Sequence, residues 1–154
     1  MARVGLITLA IVVLGALQSS AQTPRSKTAA ATSLKCTFAV RATGDWLGEK
    51  AQGEITSAKL AIAFDAIDTD DGTAEATGTG GPRHIVVRLS AGNLHFLQVG
   101  SDGPVYVTTV FNQPTAAGHL KAVHTRHEYT RVSLPGFTSR PEQYYGDCEV
   151  LASR

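Results

Sequence analysis

The strongest structural signal in this chain is a pair of strand-like runs, residues 94–99 and 104–111, separated by four small or polar residues. Both runs are rich in β-branched and aromatic residues, which favour pleated, half-buried strands. A connection of the form Gly-Ser-Asp-Gly is typical of a β-hairpin. The sequence therefore predicts an antiparallel hairpin here. A four-residue turn would put Phe96 and Val107 on one face, and Leu97 and Tyr106 on the other.

Other segments on both sides of this hairpin alternate with a period of two. In residues 34–40, for example, Leu34, Cys36, Phe38 and Val40 fall on one side, as a half-buried strand requires. Further strands are predicted over residues 58–67, 74–77, 83–89, 119–129 and 143–151. A strand within residues 49–56 has weaker support, because glycines interrupt the polar stretch 43–57. No helix is expected in the mature chain.

The N-terminus has the features of a secretory signal peptide. Arg3 supplies a positive charge, residues 5–17 are mostly apolar, and Ser19-Ser20-Ala21 has small residues where a signal peptidase cleaves. The apolar run is too short to favour a membrane anchor. We therefore expect cleavage after Ala21, no stable membrane insertion afterwards, and a mature protein in the periplasm or the extracellular space.

The mature chain is expected to begin with a disordered leader over residues 22–33, which contain no large apolar side chain. A single β domain then covers residues 34–151. Loss of Arg3 lowers the formal net charge from +1 to zero. A neutral chain without a basic cluster lacks the charge that binds a phosphate backbone, so nucleic acid is not an expected partner.

The chain has two cysteines, Cys36 near the start of the β domain and Cys148 near its end. In an exported protein this pair predicts a disulfide, with two separate buried thiols as the alternative. About eight strands with short connections indicate an antiparallel meander. A bond between the first and last strands favours a closed or flattened β-barrel, which has no free edges. A two-sheet sandwich with the same bond crossing between its sheets is the alternative.

Five histidines raise the question of a metal site. Two ligands on one strand share a face only when they are an even number of residues apart, and His124 and His127 are three apart. His119 and His127 would share a face but lie about 27 Å apart along a strand. We therefore predict no metal ligand set and no cofactor.

The acidic residues before Gly72 resemble a calcium-binding loop. Such a loop needs an acid at alternate positions and a Glu six residues beyond its glycine, where this chain has Thr69 and Gly78. The segment is better interpreted as a solvated hairpin tip.

Gly44-Asp45-Trp46 is similar to the short Gly-x-Trp signature of lipocalin-like barrels. In that family the signature opens the first strand, whereas here it follows residues 34–40, and no second lipocalin motif is present. The resemblance implies a barrel and transfers no ligand residues.

His124 and Arg126 lie two residues apart in a predicted strand and share one face with Glu128. On a solvated face they need no special explanation. Inside a barrel, buried charge requires a partner or a ligand.

These observations favour a non-catalytic binding module for a small, partly apolar ligand. The candidate ligand-binding residues are Trp46, Phe96, Tyr106, His124 and Arg126. An envelope protein-interaction or inhibitor module, offering residues 22–33 or 130–141 to a partner, is the alternative. A metal-dependent hydrolase is less favoured, because the chain has no Gly-x-Ser-x-Gly elbow, His-Glu-x-x-His, phosphate-binding glycine loop or Cys-x-x-Cys. No catalytic residue is predicted.

Overall fold

The computed structural model describes residues 26–78, 81–100, 104–127 and 141–152. The predicted signal peptide, residues 22–25 and most of the segment 130–141 lie outside these ranges. The elements are α1 (Lys27–Ala30), β1 (Leu34–Leu47), β2 (Lys50–Asp68), β3 (Thr73–Gly78), β4 (Gly81–Ser90), β5 (Asn93–Val99), β6 (Val105–Pro114), β7 (Leu120–His127) and β8 (Glu142–Val150). None of the helices in these ranges is long and apolar enough to cross a membrane.

The eight strands form an antiparallel meander closed into a ring. Each strand pairs with its neighbours in sequence, and β8 pairs with β1. The predicted fold class is therefore confirmed. The barrel is not evenly round, which agrees with a flattened barrel or a sandwich, and inside it the side chains of Phe64 of β2 and Phe96 of β5 stack with their ring centroids 4.0 Å apart.

The predicted disulfide joins the first and last strands. Cys36 of β1 and Cys148 of β8 are direct partners in the strand register, and a disulfide connects them. Both side chains are completely buried. The bond therefore fastens the closing seam of the ring from the inside.

The end of the ring next to α1 is filled by apolar side chains. Leu34, Leu94, Val110 and Leu120 are fully buried. The backbone just before β1 joins the sheet, since Ser33 accepts a hydrogen bond from the amide of Leu151 at 3.0 Å. We call this the proximal end, and the opposite end, at which β5 and β7 finish, the distal end.

The prediction of a disordered leader is wrong for residues 26–33. Ser26 caps α1 by accepting a hydrogen bond from the amide of Ala29, and the Thr28 hydroxyl donates to the carbonyl of Gly92 at 2.6 Å. Thr28 and Ala31 are buried. Their small size suggested a leader unable to build a core, but here it lets the segment pack against a core that already exists.

The hairpin of β1 and β2 is longer than the sequence suggested. Both strands run through the glycine-containing stretch, with Gly44 opposite Gly53, and they turn at Gly48, which has a positive φ of 64°. In the described part of the chain, β3 pairs with β2 only from Ala63 onward. Residues 50–62 of β2 therefore pair on one side only, with β1.

The register of the central hairpin differs from the predicted one by one residue. Val99 pairs with Val105, so the connection has five residues rather than four. A one-residue shift exchanges the faces of a strand. Phe96 therefore shares the inner face with Tyr106, whereas Leu97 and its partner Val107 lie on the outer face.

Candidate functional site

A half-enclosed depression lies inside the ring toward its distal end, and we call it the distal pocket. One wall is apolar and comes from β2 to β5, and the other is polar and comes from β5 to β7. The apolar residues are Ile62, Phe64, Ala76, Ile85 and Phe96, and the polar residues are Gln98, Tyr106, Thr108 and His124. The depression contains about 230 Å³ of space between atoms, its solvent-exposed part included.

The polar wall follows directly from strand alternation and register. Tyr106 and Thr108 are two residues apart on β6, so both point into the ring. His124 on β7 is the register partner of Thr108, and Arg126 is the partner of Tyr106. Because directly paired residues lie on the same face of a sheet, all four side chains are directed inward.

His124 is a buried ionisable group of this wall. Its side chain is buried, and Nδ1 lies 2.8 Å from the hydroxyl oxygen of Thr108. The rings of Phe38, Tyr106 and Tyr144 surround the imidazole, with centroids 5.8 to 6.0 Å away. Burial, and secondarily the nearby Arg126 charge, lowers the pKa of His124 from 6.5 to about 4. The imidazole is therefore neutral at pH 7.

Next to the pocket, a buried carboxylate is held by three side chains. Glu142 is only 2 % exposed, and it accepts hydrogen bonds from the Tyr144 hydroxyl at 2.6 Å and from Arg41 Nη1 at 3.3 Å. Arg126 Nη1 lies 3.9 Å from the second carboxylate oxygen. Burial, together with the hydrogen bond to Glu142, raises the pKa of Tyr144. Sequence reasoning did not select Arg41, Glu142 or Tyr144 as site residues.

A β-bulge turns Arg41 toward this carboxylate. The register of β1 shifts between Phe38 and Val40 against both neighbouring strands. As a result Phe38 points inward, whereas Val40 is 39 % exposed and the following residue, Arg41, faces the interior. For Glu142 and Tyr144 a signal was available, because alternation along β8 places them on the same side as Cys148.

The five predicted ligand-binding residues separate into three groups. Phe96, Tyr106 and His124 line the distal pocket. Arg126 is directed to the neighbouring Glu142. Trp46 is 59 % exposed near the tip of the β1–β2 hairpin and is not among the pocket residues. The structure therefore brings together four of the five and leaves Trp46 apart.

The histidines do not converge. Within the ranges that the structure describes, no three His, Cys, Asp or Glu side chains are placed to hold a metal ion. Three histidines have separate neighbours, namely His84 with Glu75, His95 with Thr109 and His119 with Asp147.

The acidic stretch before Gly72 forms part of the β2–β3 turn. One carboxylate oxygen of Asp68 accepts hydrogen bonds from the amides of both Asp70 and Asp71 at 2.9 Å. This carboxylate is therefore used to stabilise the turn.

Comparisons with protein-family models, with curated proteins and with solved structures found no match to this chain.

Proposed function

We propose that this protein is an exported, non-catalytic binding module that holds a small, partly apolar ligand in the distal pocket. The observation that carries the proposal is the division of one depression into an apolar wall and a polar wall. Small-molecule sites typically combine a mostly apolar lining with a few well-placed hydrogen-bonding groups. Phe96 belongs to the apolar lining, and the hydrogen-bonding groups come from Tyr106, Thr108 and His124.

The dimensions of the pocket limit the size of its ligand. Its enclosed part measures about 20 Å³, room for little more than one water molecule, and the rest of the depression is open to solvent. The stacked rings of Phe64 and Phe96 occupy the adjoining interior of the ring. The proposed ligand is therefore no larger than a single ring or a short chain, and part of it lies outside the enclosed space.

Isoleucine methyl NMR provides a direct test, because only four isoleucines follow residue 21. Ile62 and Ile85 line the pocket, whereas Ile67 is buried outside it and Ile55 is 77 % exposed on the β1–β2 hairpin. A screen of single-ring compounds should yield binders that shift the Ile62 and Ile85 methyl signals and leave the other two unchanged. Binders that shift only Ile55, or no binder at all, would contradict the proposal.

Export is part of the proposal and is supported by the Cys36–Cys148 disulfide. Disulfides persist mainly in oxidising compartments outside the cytosol. The periplasm or the extracellular space is the proposed location. N-terminal sequencing of the mature protein tests it: a start at Gln22 agrees with cleavage of the signal peptide, and an intact Met1 in the cytosolic fraction contradicts it.

An envelope protein-interaction module is the second candidate function, and an apolar row on the outer face favours it. Val86, Leu97 and Val107 are consecutive register partners across β4, β5 and β6. Val86 and Leu97 are more than 40 % exposed. A row of this kind suits an isologous contact with a second copy. Analytical ultracentrifugation should then show a dimer that Leu97→Lys abolishes, and a monomer at every concentration would contradict this candidate.

A further inference from the structure

We infer that the ligand of the distal pocket is an uncharged molecule with a hydroxyl or amide group on a small apolar body. The inference rests on the proposed function and specifies the chemical class of its ligand.

The polar lining of the pocket provides hydrogen bonds without formal charge. Gln98 offers an amide, and Tyr106 and Thr108 offer hydroxyls. His124 completes the set as a neutral imidazole at pH 7, since its pKa is about 4. Among the described residues that line the pocket, none is an Asp, Glu, Lys or Arg. The wall can therefore both donate to and accept from a ligand, but it provides no counter-ion.

Charged groups beside the pocket engage one another. Glu142 has its two oxygens directed to Arg41, Tyr144 and Arg126. Burying an ionised ligand is unfavourable unless an opposite charge compensates for its lost hydration. A carboxylate ligand would have to compete with Glu142 for the Arg126 guanidinium, and an ammonium ligand would approach the same guanidinium, whose charge already disfavours protonation of His124. Both signs of charge are therefore disfavoured.

The apolar wall of the pocket determines the apolar body of the ligand. Ile62, Ile85 and Phe96 face the polar residues across the pocket. A ligand that only made hydrogen bonds would leave these side chains in contact with water. A single ring or a short alkyl chain with one polar group satisfies both walls.

Three probes of nearly equal size separate the ligand classes: benzyl alcohol, benzoate and benzylammonium at pH 7.5. Each is titrated into the mature protein while the isoleucine methyl signals are followed. Benzyl alcohol should shift Ile62 and Ile85 with an affinity at least about tenfold higher than that of either ion. Equal or tighter binding of an ion at these two methyls would overturn the inference and leave the proposed function intact. If none of the probes shifts them, the inference and the proposed function both fail.

A charge introduced into the pocket wall provides a gain-of-binding test. Gln98→Glu places a carboxylate in the pocket, and Gln113→Glu adds the same charge on β6 away from the pocket lining. Gln98→Glu should bind benzylammonium at least about fivefold more tightly than the wild type, and Gln113→Glu should not. Ile67 methyl shifts that match the wild type confirm folding. An identical response of both variants would overturn the inference.

Discussion

Thr108 and His124 lie directly opposite each other on β6 and β7, with the threonine hydroxyl oxygen 2.8 Å from the imidazole Nδ1. Both side chains are turned into the ring and are almost entirely excluded from solvent. An ionisable group in the interior must either find a charge partner or stay neutral. His124 stays neutral, and this state determines the chemical character of the distal pocket.

The low pKa of His124 predicts that the free energy of unfolding decreases as the solution is acidified. Between pH 6.5 and about 4 the unfolded chain binds a proton at this residue and the folded protein does not. The contribution of His124 to the free energy of unfolding therefore decreases by up to about 1.4 kcal/mol for each pH unit of acidification in this window. Above pH 6.5 it does not depend on pH. Urea unfolding of wild type and His124→Gln from pH 7.5 to 4.5 should reveal a difference that changes with pH. Gln113→Ala, a change at an exposed side chain without an ionisable group, should give a constant difference. A constant difference for His124→Gln would contradict the account.

At Gly146, where β8 pairs with β1, a side chain larger than hydrogen should destabilise the protein. A Cβ atom at this position would overlap the carbonyl oxygen of Thr37 and lie 2.7 Å from the Cα of Phe38, next to the bulge of β1. Backbone atoms cannot move aside as a flexible side chain can, so Gly146→Ala should destabilise the protein by about 2–3 kcal/mol. Gly44→Ala adds the same methyl group where no atom lies within 4 Å, and it should have an effect below about 0.5 kcal/mol. Equal unfolding midpoints for the two variants would contradict the close contact between Gly146 and the backbone of β1.

The pair formed by Arg41 and Glu142 should show strong energetic coupling. Arg41→Met leaves the Glu142 carboxylate buried with less compensation, and we expect a loss of about 2 kcal/mol, reduced because Arg41 is one-third exposed. Adding Glu142→Gln removes the buried charge and should restore at least about 1 kcal/mol. Arg83→Met, on an exposed part of β4, serves as the control. Additive losses of unfolding free energy in the double-mutant cycle would contradict an energetic interaction between Arg41 and Glu142.

The disulfide is expected to contribute substantially to stability because it closes a long loop. Cys36 and Cys148 are separated by 112 positions. The loop-entropy relation gives about 4–5 kcal/mol for a loop of this length. The Cys36→Ala, Cys148→Ala double variant should unfold at much lower urea concentration than the oxidised wild type. Equilibration with a reductant should destabilise the wild type and leave the variant unchanged. A variant as stable as the oxidised wild type would refute this expectation.

Period-two alternation was sufficient to predict much of the fold. It placed Cys36 and Phe38 on the inner face of β1 and Cys148 on the inner face of β8, and the observed disulfide joins the two cysteines. It also placed His124 and Arg126 on one face. These residues lie in regular strands, where the covalent geometry of the backbone determines the side-chain direction.

The parts that could not be predicted depend on single-residue irregularities. The bulge after Phe38 reverses the alternation of β1 and brings Arg41 inside, although no residue type at this point requires a bulge. The five-residue connection of the central hairpin moved Tyr106 to the pocket side in the same way. Segment 26–33 packs against the core through small residues. The composition of the segment gives no sign that these residues are buried. Of the charged residues of the site, Arg41 was therefore hidden by the bulge, whereas Arg126 was predicted and the alternation of β8 indicates the inward position of Glu142.

The most direct test of the account is an NMR titration of the His124 imidazole, assigned by the signal that disappears in His124→Gln. The expected pKa is about 4, because the imidazole lies inside the barrel between Phe38, Tyr106 and Tyr144 and is neutral at pH 7. A pKa near 6.5, the ordinary value of a solvated histidine, would place this residue outside the interior. It would also remove the uncharged polar wall on which the proposed pocket and its ligand depend.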